Sequence, residues 1–262
     1  MSMGVGETQK YGDPSYWDKR YKQDKTPFDW YQNYSSLVPL FHLYLSPPHR
    51  RVLVVGCGNS SFSEKMAADG YEDIVNIDIS SVVIEEMQKK YSDHPQLKYI
   101  TMDVLKMDTL ETGSFDAVID KGTLDTILCG NNSKPNSAKM LEEVGRVLKD
   151  KGVYILVTYG APSYRLCYLK NSCKWKIKLH VIEKTIPGVK EEKQIWELTK
   201  PIPLNQKGKN LEDFIGASPD VHYVYVCIKN DSLEHGQFDE SVDGCIKDDS
   251  LEHGQLDESV NG

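Results

Sequence analysis

Apolar residues along this chain alternate between two spacings. The residues from Arg51 to Val55 read Arg-Val-Leu-Val-Val and stop at Gly56. A continuous, mostly β-branched run bounded by glycine predicts a strand buried on both faces of a parallel sheet. Runs of the same kind occur at Ile74–Asp78, Leu97–Thr101, Phe115–Asp120 and Val153–Thr158. Between them the spacing turns helical. Met140, Leu141, Val144, Val147 and Leu148 fall at offsets of 0, 1, 4, 7 and 8, one stripe of a helix. Lys149, Lys151 and Gly152 mark its end, and Asn131–Asn136 reads as a polar loop before it. Val83, Ile84, Met87 and Tyr91 form another stripe, with Ser81 as the expected cap and Pro95 beyond it. Further helices are predicted at Leu37–Leu45 and Phe62–Asp69, closed by Ser46-Pro47-Pro48 and Gly70. Asp116 reads as a turn residue before the fourth strand. Five strand–helix alternations predict an α/β fold with a parallel sheet covered on both faces.

The pattern changes after Tyr159. Tyr164–Leu169 is compatible with a helix, and Trp175–Glu183 and Val221–Ile228 read as strands joined by a long polar connection, 184–220. Two such late strands predict an antiparallel addition at the sheet's edge. Lysines at 170, 174, 176 and 178 suit an edge that must not pair with another chain.

Charge is unevenly distributed. The net charge is -8, and the segment from Cys227 to Gly262 holds ten acidic and two basic residues, so the remainder is neutral. That balance gives no sign of a nucleic-acid partner. The same segment is a tandem repeat, since 227–244 and 245–262 match at 15 of 18 positions. With few aliphatic residues it cannot offset its ordering entropy, so 230–262 is expected to be a disordered acidic tail. No apolar run approaches the ~20 residues that span a bilayer, and Met1–Lys10 has no apolar core of a secretory signal. The six cysteines contain no C-x-x-C pair, which argues against zinc and fits a reducing cytoplasm.

Candidate chemistry gathers where the strands end. Gly56 and Gly58 permit a sharp turn and a close ligand approach. Ser61 and Glu64 have capping-box spacing, placing a helix N-terminus beside that turn. Asp78 closes the second strand 20 residues beyond Gly58, where an acid in dinucleotide folds binds ribose hydroxyls. Asp103 and Asp120 follow the third and fourth strands, and ligands of such sheets bind outside those carboxyl ends. The N-terminal forty residues are rich in aromatics. Asp13-Pro14 predicts a helix start, with Trp17 and Tyr21 on one face, and Phe28, Trp30 and Tyr31 follow. These rings either seal a hydrophobic edge or roof a cleft. An NAD dehydrogenase would share the glycine turn and Asp78, but Ser61 stands where its third glycine belongs.

Taken together, residues 11–228 resemble a class I, seven-β-strand, S-adenosylmethionine-dependent methyltransferase. The generic features are Val52–Ser60, the acids after strands two and three and a last strand expected to be reversed. The specific ones are Tyr16–Tyr21, Asp29-Trp30-Tyr31, Gly56–Ser60 and Asp120–Asp125, which resemble the branch of lysine methyltransferases acting on elongation factor 1-alpha. The resemblance implies a Rossmann-like, doubly wound, mostly parallel seven-stranded sheet with an antiparallel last strand. With the tail (230–262) read from composition, the chain is expected to comprise an aromatic lid and helical segment (1–50), a methyltransferase core (51–229) and that tail. The resemblance implies that Gly56, Gly58, Asp78, Ile79, Asp103 and Val104 hold the cofactor, with Trp17, Tyr21 and Trp30 as lid and Lys121 lining the site. Asp120 becomes the candidate catalytic residue, and Thr123 and Asp125 face the substrate. The expected acceptor is a protein lysine; a small molecule, or a non-catalytic scaffold, are the alternatives. The absence of an Asn/Asp-Pro-Pro-Tyr motif speaks against amide acceptors. No metal, nucleic acid or membrane is expected.

Overall fold

The computed structural model describes residues 9–47, 50–184, 197–204 and 220–230. The expected acidic tail and most of the 184–220 connection lie outside the described residues. The strands are β1 (Arg51–Val55), β2 (Asp73–Asp78), β3 (Leu97–Thr101), β4 (Phe115–Lys121), β5 (Leu148–Thr158), β6 (Trp175–Glu183) and β7 (Val221–Lys229). They form one sheet in the order β3-β2-β1-β4-β5-β7-β6. Pairing is parallel from β3 to β5, while β7 runs antiparallel to both β5 and β6. The sheet is therefore doubly wound and Rossmann-like, with six strands in one direction. The last strand is reversed, as expected, but it is inserted between β5 and β6, and β6 takes the edge.

The helices are α1 (Pro14–Gln23), α2 (Tyr34–Leu45), α3 (Phe62–Ala68), α4 (Ser81–Lys90), α5 (Thr123–Cys129), α6 (Ser133–Val147) and α7 (Pro162–Ser172). Alternation along β1 divides the core. Val52 and Val54 join one cluster with Leu37, Phe41, Phe62, Met66, Ile84 and Met87 of α2–α4. Leu53 and Val55 join the other, with Leu124, Met140, Leu141, Val144 and Leu169 of α5–α7. Each such side chain gains ~1.5–3 kcal/mol on burial, and both faces are filled.

Four local expectations need correction. Ser80, not Ser81, caps α4, its side chain accepting from the Val83 amide. Ser61 and Glu64 form no capping box; Ser60 Oγ accepts from the Phe62 amide, and Glu64 accepts from the Tyr91 hydroxyl. Residues 133–136 belong to α6 rather than to a loop, and α6 ends at Val147 because β5 starts at Leu148. Asp116 lies inside β4, where its carboxylate accepts from the Arg51 amide and pairs with Lys149.

Register sets the place of the site. Val55 is level with Ile77 of β2 and with Asp120 of β4. The three central strands therefore end flush, bringing Gly56, Asp78 and Lys121 to one rim.

Candidate cofactor site

The floor is the turn after β1. Gly56 and Gly58 have φ of +59° and +52°, a region that side-chain-bearing residues rarely adopt. Space forbids a side chain as well. A Cβ on Gly56 would sit 2.1 Å from Thr123 Oγ1, and one on Gly58 would sit 2.7 Å from the Tyr21 hydroxyl. Asp78 clamps this turn to β2: one carboxylate oxygen accepts from the Gly58 amide at 2.9 Å and the other from the Ser80 amide at 2.9 Å. Burial raises the Asp78 pKa, opposed by these amide hydrogen bonds. An ionised carboxylate has about four acceptor sites, so Asp78 keeps accepting capacity for a ligand hydroxyl. Ile79 is exposed beside it, Asp103 accepts from the Leu105 amide at 2.8 Å, and Val104 is buried behind.

The N-terminal aromatics form the roof. Trp17 stacks on Tyr21 with ring centroids 6.0 Å apart, and Trp30 meets Trp17 and Phe28 edge-on at 6.3 and 5.1 Å. Polar straps tie this roof down. The Asn59 side chain accepts from the Phe28 amide at 3.2 Å and donates to the Thr26 carbonyl at 2.6 Å. Lys121 Nζ donates to Asp29 Oδ1 and to the Trp30 carbonyl, each at 3.1 Å, and Ser60 donates to the same Asp29 oxygen. Ser80 donates to Asp18 of α1 at 2.6 Å. Lys121 is only 10% exposed, and that burial lowers its pKa against the opposing pull of Asp29. Floor and roof enclose a cavity of about 270 Å³.

Of the residues singled out in the sequence, Trp17, Tyr21, Trp30, Gly56, Gly58, Asp78, Ile79, Asp103, Val104, Lys121 and Thr123 line this cavity. Asp120 and Asp125 do not. Both are fully buried, where the sequence reading expected them to meet the substrate. Asp120 accepts from the Thr123 amide and the Tyr154 hydroxyl, both at 2.8 Å. It caps α5, and desolvation pushes its pKa up to about 7. Asp125 forms an internal ion pair with Arg165 at 2.9 Å. Asp29 and Asn59 fall within stretches that carry the resemblance, but their roles as straps, and the pairing of Asp125 with Arg165, were not anticipated in the sequence. Alternation was the available signal for β4: Asp120 shares its face with Val118, whereas Lys121 shares the opposite face with Ala117 and Ile119.

The floor, the clamped carboxylate and the aromatic roof suit a ligand with a flat base, a hydroxylated sugar and a compact charged arm. Residues 53–156 match the methyltransferase-domain family. The chain is 35% identical over 180 residues to EEF1A lysine methyltransferase 4 of Mus musculus, covering 64% of this chain and 70% of that protein. The chain belongs to the family of S-adenosylmethionine-dependent methyltransferases that includes the eEF1A lysine methyltransferases. It is also 42% identical over 162 residues to the eEF1A lysine and N-terminal methyltransferase of Bos taurus. That match covers 60% of this chain and 23% of the cattle protein, so the chain spans about a quarter of that relative's length. Among solved structures, the fold resembles the N-methyltransferase NodS of Bradyrhizobium japonicum WM9 in complex with S-adenosyl-L-homocysteine. The TM-score is 0.55 at 12% identity, over 82% of this chain and 99% of that one. S-adenosylmethionine is the cofactor of this methyltransferase fold. Among the described residues no cluster of ligating side chains could hold a metal, and no helix is long and apolar enough to cross a membrane.

Proposed function

We propose that this protein transfers a methyl group from S-adenosylmethionine to a lysine side chain of a protein, with elongation factor 1-alpha as the first substrate to test. The observation that carries this reading is the asymmetry of the cavity. Over β2 and β3 it is lined by the carboxylates of Asp78 and Asp103. Over β4 and α5 it is lined by Tyr31, Thr123, Thr126 and Ile127, with Asp120 and Asp125 shut away behind them.

The bound sulfonium supplies an activated methyl group, so the protein has to position the acceptor and keep it neutral. A lysine amine has an ordinary pKa of ~10.4. A wall of Tyr31, Thr123, Thr126 and Ile127 with no lining carboxylate disfavours the ammonium form through desolvation. On this reading Asp78 accepts from the ribose hydroxyls, while Ile79, Asp103 and Val104 hold the adenine. The glycine turn admits the methionyl arm. Trp17, Tyr21 and Trp30 exclude water from above, and Lys121 holds the roof through Asp29. Asp120 acts indirectly, by fixing the start of α5. The named activity of the mouse and cattle relatives supports lysine as the acceptor.

The test is incubation with methyl-labelled cofactor and purified elongation factor 1-alpha, followed by peptide mapping. Label on a lysine supports the proposal. Label recovered only in the small-molecule fraction of a cell extract would replace it with metabolite methylation.

A further inference from the structure

We infer that the Arg20 guanidinium holds the α-carboxylate of the cofactor's methionyl arm. This rests on the methyl-transfer reading above, in which that arm lies over the glycine turn, and adds the cation that its anionic end requires.

S-adenosylmethionine carries a carboxylate at the end of that arm, and a carboxylate taken out of water needs a hydrogen-bonded cation. The cavity is lined by three carboxylates of its own, Asp24, Asp78 and Asp103, and by two cationic side chains, Arg20 and Lys121. Lys121 is engaged in the roof. Its Nζ donates to Asp29 Oδ1 and to the Trp30 carbonyl, each at 3.1 Å, so Asp29 already balances its charge. That directs the ligand's carboxylate to Arg20.

Arg20 stands at the glycine-turn end of the cavity. It precedes Tyr21 in α1, and the Tyr21 hydroxyl lies over the turn, 2.7 Å from where a Cβ on Gly58 would sit. The Arg20 Cζ is 5.5 Å from the ring centroids of both Phe28 and Trp30, which line the same cavity. Phe28 is tied to the turn in its own right, since its amide donates to the Asn59 side chain at 3.2 Å. Two rings against a planar guanidinium restrict its orientation and keep its N–H edge for an acceptor. One N–H reaches the Tyr16 hydroxyl at a long 3.4 Å, out of the five that a guanidinium carries.

The acid beside Arg20 is Asp24, one turn on. Hydrogen bonds from Thr26 chiefly hold its carboxyl below the ordinary range, with a smaller pull from Arg20. Asp24 is exposed, and a solvated partner cancels little of a neighbour's charge. An arginine fork also matches a carboxylate in shape, through two parallel N–H···O bonds, where a lysine supplies charge alone.

The test compares two ligands by calorimetry: S-adenosylmethionine, and its decarboxylated form, which has the same sulfonium and amine without the carboxylate. Wild type, Arg20→Gln and Arg20→Lys are titrated with each, and their melting temperatures without ligand report on folding. Wild type should prefer the intact cofactor by about 10- to 100-fold, the range of a charge-assisted hydrogen-bonded pair. Arg20→Gln should lose most of that preference, with affinity for the decarboxylated form within about threefold of wild type. Arg20→Lys should fall between, with charge but no fork. An undiminished preference in either variant overturns the inference. So does an equal loss for both ligands, which would make Arg20 a support of the roof. Wild-type protein that binds neither ligand overturns the methyl-transfer reading itself. Wild-type protein that binds S-adenosylmethionine yet methylates no lysine overturns the substrate reading alone.

Discussion

Asp78 and Asp120 lie on the two strands that flank β1, both buried, yet they belong to different parts of the molecule. Asp78 is the last residue of β2, and its carboxylate turns back over the rim to hold the Gly58 amide. Asp120 is one residue short of the end of β4, and its side chain drops to the opposite face among Tyr154 and the first turn of α5. Lys121, the next residue, reaches the cavity instead. A carboxylate near a strand's end thus joins the site only if both its face and its distance from the end deliver it there. Residue type alone decides neither.

The comparison can be broken at either acid. Asp78→Ala should weaken S-adenosylmethionine binding about 100-fold, ~2.7 kcal/mol in calorimetry. A smaller loss of thermal stability should accompany it. Unchanged affinity would remove Asp78 from the site. Asp120→Ala should do the reverse. With the Tyr154 hydroxyl and the Thr123 amide deprived of a dry acceptor, denaturant unfolding should show a loss of about 2–4 kcal/mol. Cofactor affinity of the folded fraction should stay within about twofold. If instead affinity collapses while stability holds, Asp120 is part of the binding surface after all.

The pH dependence sharpens the same contrast. Because burial raises the Asp120 pKa to about 7, the folded chain holds this proton more tightly than the unfolded chain does. Its contribution to stability is complete below about pH 4 and is lost as pH rises through about 7. The melting temperature of the wild type should therefore fall between about pH 4 and pH 7 more steeply than that of Asp120→Asn. Parallel profiles would mean that Asp120 titrates as an ordinary carboxylate. The smallest effect is expected for Tyr154→Phe, about 1 kcal/mol, measurable as a shift in the denaturation midpoint with no change in cofactor binding.

Much of this layout was legible because it depends on local pattern. The uninterrupted run at β1, the glycines after it and the acid 20 residues on are short-range signals, and they led to the cavity floor. What escaped was set by distant partners. Helix α5 is only seven residues long, follows a glycine at φ +92°, and has no cap of its own. Its cap comes from Asp120 on the preceding strand, so the segment gave no helix-start signal. The straps on the roof join residues 31 and 92 positions apart, beyond the reach of any periodicity. Asp125 lies in the interior for a different reason. Its place in the Asp120–Asp125 stretch suggested exposure, but Arg165, forty residues later, draws it inward.

The insertion of β7 between β5 and β6 also governs how the sheet can be assembled. Among the described strands, β6 pairs with β7 alone, so when Glu183 leaves the ribosome its strand has no described sheet partner to join. It waits until Val221–Lys229 has been made, an interval of several seconds at ~5–20 residues per second. Through that interval β6 is an unpaired strand carrying Lys176 and Lys178 in alternation with apolar residues, and charges so placed discourage capture by a neighbouring nascent chain. Completion of the sheet is accordingly a late, non-local event.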